Sequence, residues 1–590
     1  MNAGVSDGRL PVQRRWIRWV VGAVVTLLVF AIGWVLVRGV SAVSELQSVT
    51  TSTSQMRASI AKGDLARAEL VAPRIAEHAA TARDLTSDLV WRGFEVIPWL
   101  GTNFTAMREI AEVADSIATE AVPPVLAIAD DIDLATLGFA GTSIRLAPLA
   151  AVEAPLGAIS ATLSDAEARA QQIDAGAALS PVADAVREMS DAVTEASTVV
   201  GALHGAAVLL PSMLGADGPR TYIVAVQNNA ELRSSGGVID SLFLLNAEGG
   251  TISIVQHPSI RDIPASAEPL PLSDSTIALF ADAPGRRLED ITNIPDFSEA
   301  GPTLALRWEQ VSGQSVDGVI AVDAAVAQQL TDAAENVSFG PFTADADSIL
   351  SILLSEIYAS TPDPNQQDDL FALATDALFA SALYETEPQK LIGALAASAA
   401  EDRIRIWSAH PEEEAVLVAS DLGGVLPVDG ERGTHVGVLF NDATGGKMNY
   451  YTSASMSAAV GMCHGEPTTQ VRVVWSNDAP QDAAETLPAS VTGGGVKDVE
   501  PGAVRTLIAV YGPEGAVPGA IDRDGAQEAV QTTTLGTRSV VQYDVLLAPG
   551  ESTTITVSFT GTGAGDRLTS VRHTPMVDAE TGRADLNCAE

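Results

Sequence analysis

Residues 227–240 read QNNAELRSSGGVID and follow directly on the apolar run Tyr222-Ile223-Val224-Ala225-Val226. A hydrophobic segment therefore runs straight into amides, a carboxylate, an arginine and a glycine pair, in a chain otherwise rich in Ala and Val. The segment TYIVAV has the composition of a buried strand. In an α/β sheet, ligands bind beyond the carboxyl ends of the strands, where loops and helix N-termini offer unpaired amides. On that reading Asn228 and Asn229 belong to a binding rim, and Gly236 and Gly237 let the backbone approach a bound group closely or take up positive φ. A second reading of the same residues is a polar turn, capped by the two asparagines and bent at the glycines. Composition leaves both open.

Beyond Asp240, SLFLLNAEGGTISIV has the pattern of a β-hairpin turning at Glu248-Gly249-Gly250, and it leads into HPSIRDIP with Arg261 and Asp262. The two strands are expected to carry Asp240 and Arg261 to the same edge of the sheet. Arg233 and Arg261 would then face one pocket, with Glu231, Asp240 and Asp262 nearby. Two arginines suit an anionic oxygen cluster, and Asp240 and Asp262 suit a divalent cation such as Mg2+ held between protein and phosphate. The same charges also fit a salt-bridge network that pins the hairpin.

Outward from this segment the texture changes several times. Across 215–451, strand signals (TYIVAV, SLFLLN, TISIVQ, VDGVIAVD, HVGVLF) alternate with helical ones (TLALRWEQVS, DADSILSILLSEIY, QQDDLFALATDALFASALY), which argues for an α/β domain. Residues 452–590 are rich in Val, Thr and Gly, and TQVRVVWSND, AVRTLIAVYG, SVVQYDVLLA and STTITVSFTG read as strands of a β-sandwich. Residues 41–212 are helical in pattern. There GDLARAELVAPRIAEHAATARDLTSDLVW sets Leu65, Leu70, Ile75, Ala79 and Leu85 near helical spacing, with breaks expected at Pro98–Asn103 and at Pro123-Pro124. An extracellular helical bundle or stalk accounts for this region.

Trp19 to Val37 carries no charge and is long enough, as a helix, to cross the ~30 Å hydrocarbon core. A transmembrane helix is expected over 19–40. Arg9, Arg14, Arg15 and Arg18 precede it and only Arg38 follows closely, so the positive-inside rule leaves residues 1–18 in the cytoplasm and the rest outside. A cleaved signal peptide fits less well, because the apolar run exceeds an ordinary h-region and no small-x-small site follows it closely. Among 590 residues, 75 acidic against 34 basic side chains give a formal net charge of -41, which repels phosphate backbones and argues against a nucleic-acid partner. Cys463 and Cys588 are the only cysteines; outside the membrane they are expected to pair as a disulfide. The seven histidines show no metal-ligand spacing, and no Walker loop or nucleophile elbow stands in a convincing setting.

QNNAELRSSGGVIDSLFLL resembles the signature of the bacterial "domain of unknown function 4012" family. NIPDFSEAGPTLALRWEQVSGQSVDGVIAVD, NDATGGKMNYY (441–451) and the spacer with PWLGTN have that family's texture as well. The resemblance implies a bacterial cell-envelope protein without an assigned activity. More distantly, Arg233, Asp240 and the SIRD run at 259–262 follow the order of motifs in the LytR-CpsA-Psr family, membrane-anchored enzymes that transfer glycopolymers from polyprenyl pyrophosphate lipids to the cell wall. That likeness implies Arg233 and Arg261 as pyrophosphate ligands and Asp240 as a magnesium ligand or proton-transfer group. The family's arginine-rich late helix has no counterpart, since DPNQQDDLFALATDALFASAL lacks Arg and Lys. Two functions follow as expectations for this multidomain α+β chain: binding and transfer of a lipid-linked pyrophosphate glycopolymer, or a non-catalytic envelope scaffold or adhesion role.

Overall fold

The computed structural model of the protein describes residues 13–61, 64–131, 143–429, 433–561 and 568–588. The chain divides into two compact units, one helical and ending at Val208, the other taking up at Leu209. It is a mixed α+β, multidomain protein with a helical N-terminal region and C-terminal sheets.

The helical unit begins with α1 (Gln13–Ala61), a single helix that contains the apolar run. Arg9, and the side chains of Arg14, Arg15, Trp16, Arg18 and Trp19, lie outside the described residues. α2 (Leu65–Thr86) is capped by Asp64, which accepts from the Arg67 N–H at 3.1 Å. Ala68, Ala72, Ala79, Ala114 and Ala118 form its interior with Val71 and Ile75. Small side chains at these positions let helix axes approach closely. Leu70, expected on this apolar stripe, is instead exposed, and its neighbour Val71 turns inward; the Leu65 side chain lies outside the described residues. α3 (Leu89–Glu95) and α4 (Gly101–Ser116) are separated at the expected Pro98 break. No loop forms at Pro123-Pro124. The chain stays helical through a π turn at Ile117–Ala121 into α5 (Val122–Asp131), and this wider turn lies directly before the two prolines, which lack the N–H that a helix interior uses. α6 (Leu146–Gln171) and α7 (Ser180–Met213) follow. Among the described residues, three helices are long and apolar enough, by length and composition, to cross a membrane: Val25–Ser59, Leu146–Gln171 and Ser180–Met213.

The second unit opens with a five-stranded sheet. Its strands are β1 (Arg220–Arg233), β2 (Gly236–Glu248), β3 (Thr251–Gln256), β4 (Gly318–Asp323) and, after the short hairpin of β5 (Val337–Phe339) and β6 (Phe342–Ala344), β7 (Ile404–Ser408). The spatial order is β3-β2-β1-β4-β7, with β1 and β4 parallel and the other pairs antiparallel. Strand parity assigns the faces. Ile223 and Ala225 pack against Phe297, Leu304 and Trp308 of the helix Phe297–Ser312, whereas Tyr222 meets Leu209, Met213 and Leu417 on the opposite side. With both faces covered, β1 is buried nearly throughout.

Two further sheets share a core. β8 (Thr434–Asp442) pairs with β11 (Val504–Glu514) in the five-stranded sheet, while β10 (Glu466–Asn477) lies near the centre of the six-stranded one, between β9 (Thr452–Cys463) and the strand Ser552–Thr560. Val438, Phe440, Ile508 and Val541 from the first interleave with Val471, Val473, Trp475 and Val557 from the second. Phe440 and Trp475 stack with ring centroids 4.7 Å apart. The strand HVGVLF, read from sequence with the α/β segment, is β8 and therefore belongs to this layer; its hydrogen bonds go to β11 and to Leu568–His573. Cys463 and Cys588 are joined by a disulfide, with Cα atoms 5.4 Å apart.

Candidate functional site

β1 does not end at Val226. It continues through QNNAELR to Arg233, turns at Ser234-Ser235 and returns as β2, so the signature is a β-hairpin rather than a rim beyond a strand end. Its polar residues are accommodated by two register shifts, at Val226/Gln227 and at Asn228/Leu232. A bulge re-aims side chains and leaves backbone groups without ladder partners. The signature supplies those partners itself. Asn228 Oδ1 accepts from the Ala230 N–H at 2.9 Å, and Gln227 Oε1 accepts from the Gly237 N–H at 3.1 Å. The glycines are required for this closeness: a Cβ on Gly237 would lie 2.1 Å from the Asn228 carbonyl oxygen, and one on Gly236, whose φ is 138°, would lie 2.3 Å from Gln227 Oε1.

The remaining polar groups tie this hairpin to the C-terminal sheets. Asn449 Oδ1 accepts from the Leu232 N–H at 3.1 Å, and Asn441 Oδ1 accepts from the Ser234 N–H at 2.8 Å. Asn229 donates to the Pro575 carbonyl and to Asp323 Oδ2, both at 3.0 Å. Leu232 is buried in the C-terminal core rather than in that of its own sheet. NDATGGKMNYY, distinguished in the sequence only by its texture, provides Asn441 and Asn449 for this junction.

Charged side chains fill its centre. Arg233 is buried; it donates to Glu231 Oε1 at 2.7 Å and to the carbonyls of Leu232 and Glu289. Lys447, one of four lysines in the chain, is buried with its Nζ 3.3 Å from both Glu231 Oε2 and Asp240 Oδ1, and 5.2 Å from the Tyr358 ring centre. Asp240 Oδ2 accepts from Asn228 Nδ2 at 2.6 Å and from the Tyr358 hydroxyl. Tyr358 lies in the helical segment Ile349–Ser360, just after a π turn at Ile352–Glu356. Burial would raise the Glu231 carboxyl, yet Lys447 and Arg233 outweigh it and hold the group well below its ordinary range. Asp442 goes the other way: burial and the charge of Glu231 push it up to about 6. Burial and the neighbouring Asp240 carboxylate keep the Tyr358 phenol protonated far above its usual range.

Arg233 and Arg261 have no partner in common. Arg261 sits on the single turn Ile260–Asp262, half-exposed, bound to Asp368 at 3.2 Å, to Asn365 and to the Pro364 carbonyl. Asp262 is exposed on the same turn. Asp240 and Asp262 likewise share no partner, and the oxygens of Asp240 face an ammonium, an amide N–H and a hydroxyl. A magnesium ion needs oxygen ligands, so this donor-rich setting does not fit it. Among the described residues no group of three or more His, Cys, Asp or Glu side chains is gathered as a metal site. Lys447, Tyr358 and Asp442 were not recognisable from sequence as site residues, because each reaches Asp240 or Glu231 only through tertiary packing.

The fold and junction define a class: an α/β hairpin motif locked into C-terminal β-sheets by its own polar residues. Residues 217–358, the segment that carries the signature, match the family described as "Protein of unknown function (DUF4012)". The match ends at Tyr358, so Asp442, Lys447 and Asn449 complete the junction from outside it. No curated protein matches the chain. Among solved structures, the Lin1025 protein from Listeria innocua is similar at 12% identity, over 35% of this chain and 78% of that one, with a TM-score of 0.20.

Proposed function

We propose that the chain is a single-pass protein of a bacterial cell envelope, anchored through 19–40 with its N-terminus in the cytoplasm. Its extracellular helical stalk, α/β domain and β-sandwich serve as a non-catalytic scaffold. The observation that carries the scaffold reading is the direction of the signature's polar groups. Gln227, Asn228, Asn229 and Arg233 all bond within the chain, and the Asn229 side chain and the N–H groups of Leu232 and Ser234 reach the C-terminal layers. A cation already neutralised in a buried network has little left for a diphosphate, since breaking such a pair costs about 3–5 kcal/mol. Transfer of a polyprenyl pyrophosphate-linked glycopolymer, with Mg2+ and a LytR-CpsA-Psr-like fold, is the contrasting function.

Titration of full-length protein in nanodiscs with a short-chain polyprenyl pyrophosphate, with and without Mg2+, separates the two. The expected result is no saturable binding in the micromolar range, and no change on Arg261→Gln. Micromolar binding that Arg261→Gln abolishes would overturn the scaffold reading in favour of glycopolymer handling.

A further inference from the structure

At one end of the helical unit, α1 passes from its apolar run to its first following charge, and the helix neighbours of that passage are bare. Trp34 donates from Nε1 to Asp88 Oδ2 at 3.0 Å, and Arg38, stacked on Trp34, binds the Leu85 carbonyl at 2.8 Å and pairs with Asp88 at 3.1 Å. Asp88 in turn caps α3, accepting from the Trp91 N–H at 2.7 Å. Trp91 packs with Val35, Ala42 and Met107. α3 and the start of α4 are thereby held at the level of residues 34–42 of α1. A Trp and an Arg at this place mark the depth of a membrane interface.

The side chains around this collar point outward. Leu89 is 88% exposed, Val96 81%, Trp99 89% and Leu179, from the α6–α7 corner, 62%. The two corners are tied together: Asn103 Oδ1 accepts from the Leu179 N–H at 2.8 Å. The exposure is built in. Trp99 holds a left-handed φ of 67°, and Gly101 passes so close to the Glu95 carbonyl that a Cβ there would lie 1.9 Å from its oxygen. Exposed large apolar groups, clustered rather than scattered, mark a surface that is covered in use.

We propose that the α3–α4 corner, with Leu89, Val96 and Trp99, seats in the interfacial region of the outer lipid leaflet, assisted by Leu179. The occupant is lipid because Asp88 ties the corner to Trp34 and Arg38 of α1, at the end of the apolar run where Val29, Phe30, Leu36 and Val37 are also bare. This inference rests on the anchor assigned to 19–40. The corner gives the stalk a second point of membrane contact and so restricts its tilt about α1.

The test uses full-length protein in nanodiscs made with or without brominated acyl chains. Single cysteines at Val29→Cys, Val96→Cys, Trp99→Cys and, as a distant exposed control, Glu69→Cys are labelled with an environment-sensitive fluorophore; the native disulfide stays closed. The expected result is blue-shifted emission at 29, 96 and 99, quenched several-fold more strongly than at 69. Quenching at 29 but not at 96 or 99 overturns the inference and leaves the anchor standing. An unquenched label at 29 removes the anchor itself, and the inference with it. Blue-shifted but unquenched labels at 96 and 99 also overturn it, since a second copy or another protein would then cover the corner.

Discussion

Lys447 and Arg233 place two full positive charges in the interior, and each is balanced by carboxylates that the hairpin or its surroundings present. Removing one partner of such a network leaves an uncompensated buried charge, which is far more costly than the net worth of the pair. Lys447→Met is therefore expected to destabilise the second unit by about 3–5 kcal/mol, read by chemical denaturation followed through tryptophan fluorescence. Arg261→Gln, at a half-exposed pair, should cost no more than about 1 kcal/mol. Asp442 carries the opposite lesson. Burial and Glu231 lift its folded pKa from an ordinary 3.8 to about 6. Its protonated form favours folding, so its contribution is full below 3.8, declines as pH rises and is gone above about 6. Asp442→Asn is expected to stabilise the protein above that range and to lose its advantage toward pH 4. Glu231 acts with the reverse sign, since its lowered pKa gives stability that is present above its ordinary 4.5 and lost as pH falls below it. A stability profile in which Asp442→Asn parallels the wild type at every pH would contradict this assignment.

The hairpin of β1 and β2 is the element that joins the layers, and its geometry leaves little room for change. Gly237→Ala would drive a methyl group into the Asn228 carbonyl, so a loss of about 2 kcal/mol or more is expected. At Gly249, in the turn between β2 and β3, φ is positive but the space is open, and alanine should cost only about 1 kcal/mol. Equal costs at the two sites would remove steric closeness as the reason for the glycine pair. A second element depends on the disulfide. The strand Ala579–Arg583 lies at the sheet edge beside β9, and Cys588 follows it closely. Cys588→Ser is expected to speed amide exchange in Ala579–Arg583 and along β9 while β10 and β11 stay protected. In the chain-entropy description a loop of this length is worth on the order of 4–5 kcal/mol. Uniform acceleration throughout the sheets would show instead that the bond supports the whole layer.

For the molecule as a whole, protease added outside intact cells should remove the mass beyond residue 40 and spare the N-terminal arginines. Protection of the bulk of the chain would reverse the assigned orientation. Much of this organisation was legible from sequence because it depends on periodicity and uninterrupted apolarity. The helical unit, the strands TISIVQ and VDGVIAVD, the hairpin at Gly249-Gly250 and the Cys463–Cys588 pairing all occur in the structure. Boundaries that depend on what surrounds a segment were not legible. QNNAELR is too polar to read as buried strand, yet it is one, because bulges aim its amides at backbone groups and at Asn441, Asn449 and Pro575. HVGVLF reads as a strand in either domain, and only pairing with β11 decides its sheet. The sequence by itself determined most element types, the uncharged apolar run of 19–37 and the acidic composition, all of which follow from local composition. Only tertiary structure decided that Arg233 and Arg261 part company and that Lys447 meets Asp240, because the partners come from distant chain segments: Asn365 and Asp368 for Arg261, and Asp240, 207 residues away, for Lys447.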